Sequence, residues 1–148
     1  MSYRRIIPEE IQQKVRKRAK YLCEYCHASE KWQYVTFSVD HVIPLSQQGT
    51  NTFDNLALAC FHCNRRKSNK TTAIDPKLKS EFPLFNPREQ QWNDHFIWSS
   101  DNFFIIGLTS IGKITVNTLL LNRERVINIR AADILVGRHP PVDDHIKE

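Results

Sequence analysis

The residues whose types and spacing suit chemistry fall in one stretch of the chain. Cys23-Glu24-Tyr25-Cys26 and Cys60-Phe61-His62-Cys63 are two pairs of identical spacing, with 33 residues between them. A two-residue gap lets two thiolates turn onto one metal ion, and two such knuckles supply the four ligands of a closed tetrahedral zinc site. Two disulfides are the competing reading, but structural disulfides are rare in a reducing compartment. Thioredoxin-like exchange needs one pair in a βαβ context, which is absent. Cys23 to His27 also spells C-E-Y-C-H, the attachment motif for c-type haem, a reading that leaves the second pair without a purpose. Zinc is therefore expected at Cys23, Cys26, Cys60 and Cys63. His27 and His62 are expected as bystanders, because four thiolates already complete the shell.

The elements that must position these residues follow from local pattern. Pro8-Glu9-Glu10 places Pro at a first helical turn with two acids where the helix dipole favours them. Ile11, Val15, Ala19 and Leu22 then recur at helical spacing among Lys14, Arg16, Lys17, Arg18 and Lys20, which predicts an amphipathic basic helix leading into the first pair. Tyr34 to Asp40 alternates and is rich in β-branched and aromatic residues, so it reads as a strand delivering Asp40-His41 at its end. A polar loop after Pro44 returns through Asn55-Leu56-Ala57-Leu58-Ala59 as a second short strand. Cys60 and Cys63 then open a helix carrying Asn64, Arg65, Arg66, Lys67 and Lys70. The order is β, loop, β, α.

Cys23-x2-Cys26, Asp40-His41-x2-Pro44, Asn55-Leu56 and Cys60-x2-Cys63-Asn64-x2-Lys67, in that order, resemble the HNH endonucleases. The resemblance runs from about Cys23 to Lys70 and implies an α+β fold with a ββα-metal core. It also implies that His41 is the general base that activates water, a task suited to a side chain ordinarily titrating near pH 6.5. Asp40 and Asn64 are then the ligands of one catalytic Mg²⁺ or Mn²⁺, an ion that prefers few protein ligands and several waters. Asn55 has a positioning role. Asn64 stands where other members often carry His. Arg65, Arg66 and Lys67 are expected to touch phosphate beside the cleavage site, Lys67 at a recurrent family position.

Charge agrees with such a partner. Residues 1–70 hold 12 Lys and Arg against 6 Asp and Glu, whereas residues 71–148 hold 9 against 10. The basic half suits DNA, with RNA not excluded. No apolar run approaches the roughly 20 residues that span a bilayer, and no apolar segment follows the basic start Met1 to Arg5, so a cytoplasmic protein is expected. Residues 1–75 are expected to form the nuclease core, with 76–148 packed on it as an extension of the same compact unit. In that extension Pro83 to Pro87 reads as a connecting loop and Trp92, Phe96 and Trp98 as an aromatic cluster, with His95 partly buried beside it. Pro83 to Arg88, Trp92 and His95-Phe96 also resemble, more loosely, an extension found in a bacterial HNH subgroup. Phe103 to Leu108 and Lys113 to Val116 suggest a hairpin turning at Gly112, and Asn122 a cap for a last helix ended by Gly137. The expected activity is metal-dependent hydrolysis of phosphodiesters in DNA; the alternative is a zinc-stabilised nucleic-acid-binding module without catalysis.

Overall fold

The computed structural model describes residues 7–142, so the basic start Met1 to Arg5 lies outside the described residues. Helix α1 (Glu9–Arg18) begins after Pro8, carries Glu9 and Glu10 in its first turn and buries Val15. It stops before Leu22, because Lys20 and Tyr21 take positive φ and swing the chain into the first cysteine pair. Strand β1 (Ser38–His41) pairs antiparallel with β2 (Leu56–Ala59), with Asp40 opposite Ala57 and His41 opposite Leu56. Every residue of β2 is fully buried.

The strand expected from Tyr34 begins only at Ser38. Tyr34 and Val35 stand in solvent, and the backbone of Phe37 is claimed by side chains. Its N–H donates to Glu30 Oε2 at 2.8 Å, and its carbonyl accepts from Arg16 Nη2 at 2.8 Å. With both groups satisfied, no partner strand is needed there. Asn55, expected in the second strand, closes a short 3₁₀ turn (Phe53–Asn55) ahead of it. Helix α2 (Phe61–Lys67) follows, with Cys63 and Lys67 on its buried face, and packs against both β1 and β2.

The extension departs further from expectation. A hairpin of β3 (Thr72–Ile74) and β4 (Glu81–Pro83) precedes the expected connecting loop and takes in its first residue, Pro83. After α3 (Trp92–His95), β5 (Phe96–Trp98) pairs with β6 (Ile105–Gly107). The residues Lys113 to Val116, expected as a strand, belong to helix α4 (Ser110–Thr118). Thr109 caps that helix by accepting from Gly112 N–H at 3.0 Å. Gly112 is no turn. A Cβ there would stand 2.1 Å from the His95 carbonyl oxygen, and one on Gly107 would stand 2.5 Å from Lys113 N, so the two glycines let α4 lie directly on β6. Tertiary packing overrides the β-branched character of Ile114 and Thr115, both buried in the helix.

Helix α5 (Glu124–Leu135) has Arg123, not Asn122, at its N-cap, and Gly137 leaves the helix end at φ +75°. Asn122 instead clasps Ile105, its Oδ1 accepting from Ile105 N–H and its Nδ2 donating to Ile105 C=O, both at 2.8 Å. On this helix Val126 and Arg130 are buried and Ile129 is exposed. One buried cluster joins Val15, Tyr25, Leu56 and Leu58 to Phe85, Trp92, Phe96, Ile105 and Leu121. The Trp92 indole N–H donates to the Tyr25 carbonyl at 2.9 Å, tying the aromatic cluster to the first cysteine pair. The fold is α+β, with five helices and three small antiparallel sheets among the described residues.

Candidate active site and metal centres

The two cysteine pairs meet at one point. Cys23 and Cys26 lie in a loop closed by a bridge between Leu22 and Ser29, and Cys60 sits at the N-cap of α2 with Cys63 in its first turn. In both pairs the second cysteine turns its backbone N–H onto the first sulfur, at 3.5 Å for Cys26 to Cys23 Sγ and 3.4 Å for Cys63 to Cys60 Sγ. All four sulfurs are buried within 4.8 Å of one another, and all four cysteines are free. The Cys26 and Cys60 sulfurs are 3.8 Å apart. Four ligands at about 2.3 Å from a tetrahedral zinc would be separated by about 3.8 Å, so the cluster fits that ion. Burial pushes the Cys23 thiol well up, whereas hydrogen bonds from Cys23, Cys60 and Cys63 pull Cys26 well down. Four buried sulfurs cannot all ionise unaided; a divalent cation would supply the missing charge.

His62 and His27 lie outside this group. The His62 Nε2 is 2.8 Å from the Leu119 carbonyl, and the His27 ring stacks on Trp92 at 4.0 Å between centroids. His95 is half-buried and hydrogen-bonded to Thr109 at 2.6 Å.

Asp40 and His41 end strand β1, and a single buried cation organises that end. Lys67 is only 2% exposed, and its Nζ donates to the Val42 carbonyl at 3.0 Å and the His41 carbonyl at 3.4 Å. It also lies 3.4 Å from Asp40 Oδ2, an ion-pair distance without hydrogen-bond geometry. Three successive residues are thus held by one ammonium. Burial raises the Asp40 carboxyl, and the charge of Lys67 pulls it part of the way back. Asp40 Oδ2 is buried with no hydrogen-bond partner, a carboxylate oxygen suited to a hard cation. The phosphate contact expected of Lys67 does not fit this burial, because its ammonium is enclosed beneath the strand.

Asn55, 8% exposed, fastens the loop that follows His41. Its Nδ2 donates to Ile43 C=O at 2.9 Å and Thr50 C=O at 2.8 Å, while its Oδ1 accepts from Ile43 N–H at 3.0 Å. Gly49 is required in the same loop, since a Cβ there would fall 1.7 Å from the Ile43 carbonyl oxygen. Arg18 reaches from α1 to the other side, donating to the Phe53 carbonyl at 2.9 Å and to the Leu56 carbonyl. Asn64 stands half-buried on α2, one turn before Lys67. Arg65 is exposed over the Phe61 ring at 5.3 Å, and Arg66 leans on the Thr118 carbonyl at 3.3 Å.

Sequence reasoning missed one contributor, Asn51, and the burial of another, Lys67. His41 Nε2 lies 2.8 Å from Asn51 Oδ1, and Asn51 in a polar loop looks like an ordinary turn residue. The burial of Lys67 had a signal, since it falls four residues after Cys63 on one helical face.

A paired-strand and helix unit pinned by a thiol cluster, with an acid and a histidine at the strand end, defines a candidate hydrolytic metal centre. Residues 23–70, about a third of the chain, match the HNH endonuclease family, the same stretch that resembles it by motif. That family is one of nucleases, and the likeness covers this segment of the chain. No curated protein matches the chain. No helix among the described residues is long and apolar enough to cross a membrane.

Proposed function

We propose that this protein is a metal-dependent endonuclease that hydrolyses phosphodiester bonds in DNA, and that residues 1–75 and 76–148 work as one compact unit. The observation that carries this reading is the convergence at the end of β1: an acid and a histidine, adjacent in sequence, held by a buried lysine from α2 and an asparagine-fastened loop. The Asp40 Oδ2 oxygen, paired with Lys67 but without a hydrogen bond of its own, stands one residue from a half-exposed imidazole, an arrangement that suits hydrolysis better than scaffolding.

In this reading His41 takes the proton of an attacking water, whose oxygen bonds to phosphorus as the bond to the leaving sugar oxygen breaks. Asp40 and Asn64 would hold one Mg²⁺ or Mn²⁺, which when bound supplies charge stabilisation to the phosphate and the departing oxygen. Lys67 and Asn55 position: the first holds residues 40–42, the second fixes the loop beyond them. Exposed Arg65 is placed for phosphate, with Arg66 beside it. Zinc at the four cysteines is structural, since a closed four-thiolate shell leaves no position for water. Free thiols and such a site suit the cytoplasm.

The test is conversion of supercoiled plasmid to nicked or linear form, with Mg²⁺, Mn²⁺ or chelator, for wild type beside His41→Ala. Cutting that needs the ion and falls by at least about 10³ in the folded, zinc-loaded variant is expected, as for loss of a positioned base. If neither protein cuts plasmid, single strands or RNA while both bind them, the chain is a binding module.

A further inference from the structure

We propose that Asn51 is a positioning residue that fixes which nitrogen of His41 acts as the base; this rests on the nuclease reading of the site. The amide oxygen of an asparagine only accepts hydrogen bonds. Asn51 Oδ1 stands 2.8 Å from His41 Nε2, so Nε2 is the donor and carries the ring proton. A neutral imidazole has one N–H, which leaves Nδ1 with the lone pair. Proton abstraction therefore takes place at Nδ1. The water's proton passes to that nitrogen, the ring becomes imidazolium, and the Nε2–H bond to Asn51 is kept and strengthened by the new charge. One contact thus orients the base before the step and steadies its product afterwards.

Asn51 is itself held on both sides. The Thr50 carbonyl before it accepts from Asn55 Nδ2 at 2.8 Å. The hydroxyls of Thr50 and Thr52 are 2.7 Å apart, and Thr52 donates onward to Asp54. A chain of support results: Asn55 fixes the loop, the loop presents Asn51, and Asn51 holds the ring. The influence of Asn55 on the base runs through the loop and Asn51.

The experiment has two readouts on the zinc-loaded protein. Long-range nitrogen–carbon correlation of the His41 ring, recorded near pH 8.5 where imidazoles are ordinarily neutral, identifies the protonated nitrogen without any substrate. The wild type is expected as pure Nε2–H, and Asn51→Ala as an exchanging mixture of the two forms. In the plasmid assay Asn51→Ala is expected to lose about 10- to 100-fold in kcat at unchanged KM, with zinc content and helical signal intact. Asn51→Asp, which keeps an acceptor oxygen, is expected to recover most of that loss. A wild-type ring protonated on Nδ1, or Asn51→Ala cutting at the wild-type rate, would overturn the proposal. A protein that never cuts refutes the nuclease reading instead, and the spectrum still decides whether Asn51 sets the tautomer.

Discussion

Two regions of this molecule use the same pair of devices to different ends. In the segment from Cys23 to Lys70, the Asn55 side chain clasps both backbone groups of Ile43, and buried Lys67 gathers the His41 and Val42 carbonyls. In the extension, Asn122 clasps both backbone groups of Ile105, and buried Arg130 gathers the Phe103 and Leu121 carbonyls at 2.7 Å each. Each region therefore secures irregular backbone with an asparagine clasp and an enclosed cation. The neighbours differ. Lys67 faces the carboxylate of Asp40, with His41 one residue on. Arg130 faces the Asn122 amide oxygen at 3.1 Å and the Trp98 ring at 5.1 Å. The clasp and the enclosed cation are common to both regions; only the first adds an acid and an imidazole beside them.

The largest expected effect separates the regions by what holds them. Cys60→Ser removes a ligand from the four-sulfur cluster, and structural zinc contributes about 10–16 kcal/mol in small zinc domains. Loss of bound zinc and of cooperative unfolding is expected, read by metal content and thermal melting.

Next comes the comparison of the two cations. Arg130→Met and Lys67→Met each leave buried carbonyls without donors, and each is expected to lower stability by about 3 kcal/mol in denaturant titration. Only Lys67→Met should also abolish cutting under conditions where the protein remains folded. Its deficit should depend on pH with a definite sign. Burial already lifts the Asp40 carboxyl above its ordinary value, and removing Lys67 lifts it further. A group raised in the folded state takes stability away as pH rises through its folded value, so the deficit should grow from acid towards neutral pH.

The smallest effect sharpens the comparison most. Asn55→Ala and Asn122→Ala are expected to cost about 2 kcal/mol each. Asn55→Ala should lower plasmid cutting well beyond that loss, whereas Asn122→Ala should leave kcat within about twofold of wild type. Equal kinetic effects from the two would erase the distinction drawn between the regions.

The same contrast explains what was legible in the sequence. Residues 23–70 announce themselves because two evenly spaced cysteine pairs and an acid–histidine pair restrict residue type and spacing at once. The order of β1, β2 and α2 followed from them. The start of β1 did not, because Glu30 and Arg16 satisfy Phe37 from a distance in sequence that local alternation cannot register. In the extension little but apolar pattern was available, and Ile114, Thr115 and Val116 read as strand. They form a helix because Gly107 and Gly112 permit close packing, a pairwise fact invisible in either glycine alone. Asn122 was read as a cap because capping and clasping use the same amide.

The central claim is that one metal site holds the fold while another, built at Asp40 and Asn64, serves turnover. The most direct test follows plasmid nicking and the far-UV spectrum together while Mg²⁺ is withdrawn with a chelator too weak to remove zinc, and then restored. The account predicts that nicking stops and returns while the spectrum stays constant and zinc remains bound. Nicking that continues without the divalent ion, or a spectrum that collapses with it, would contradict the account.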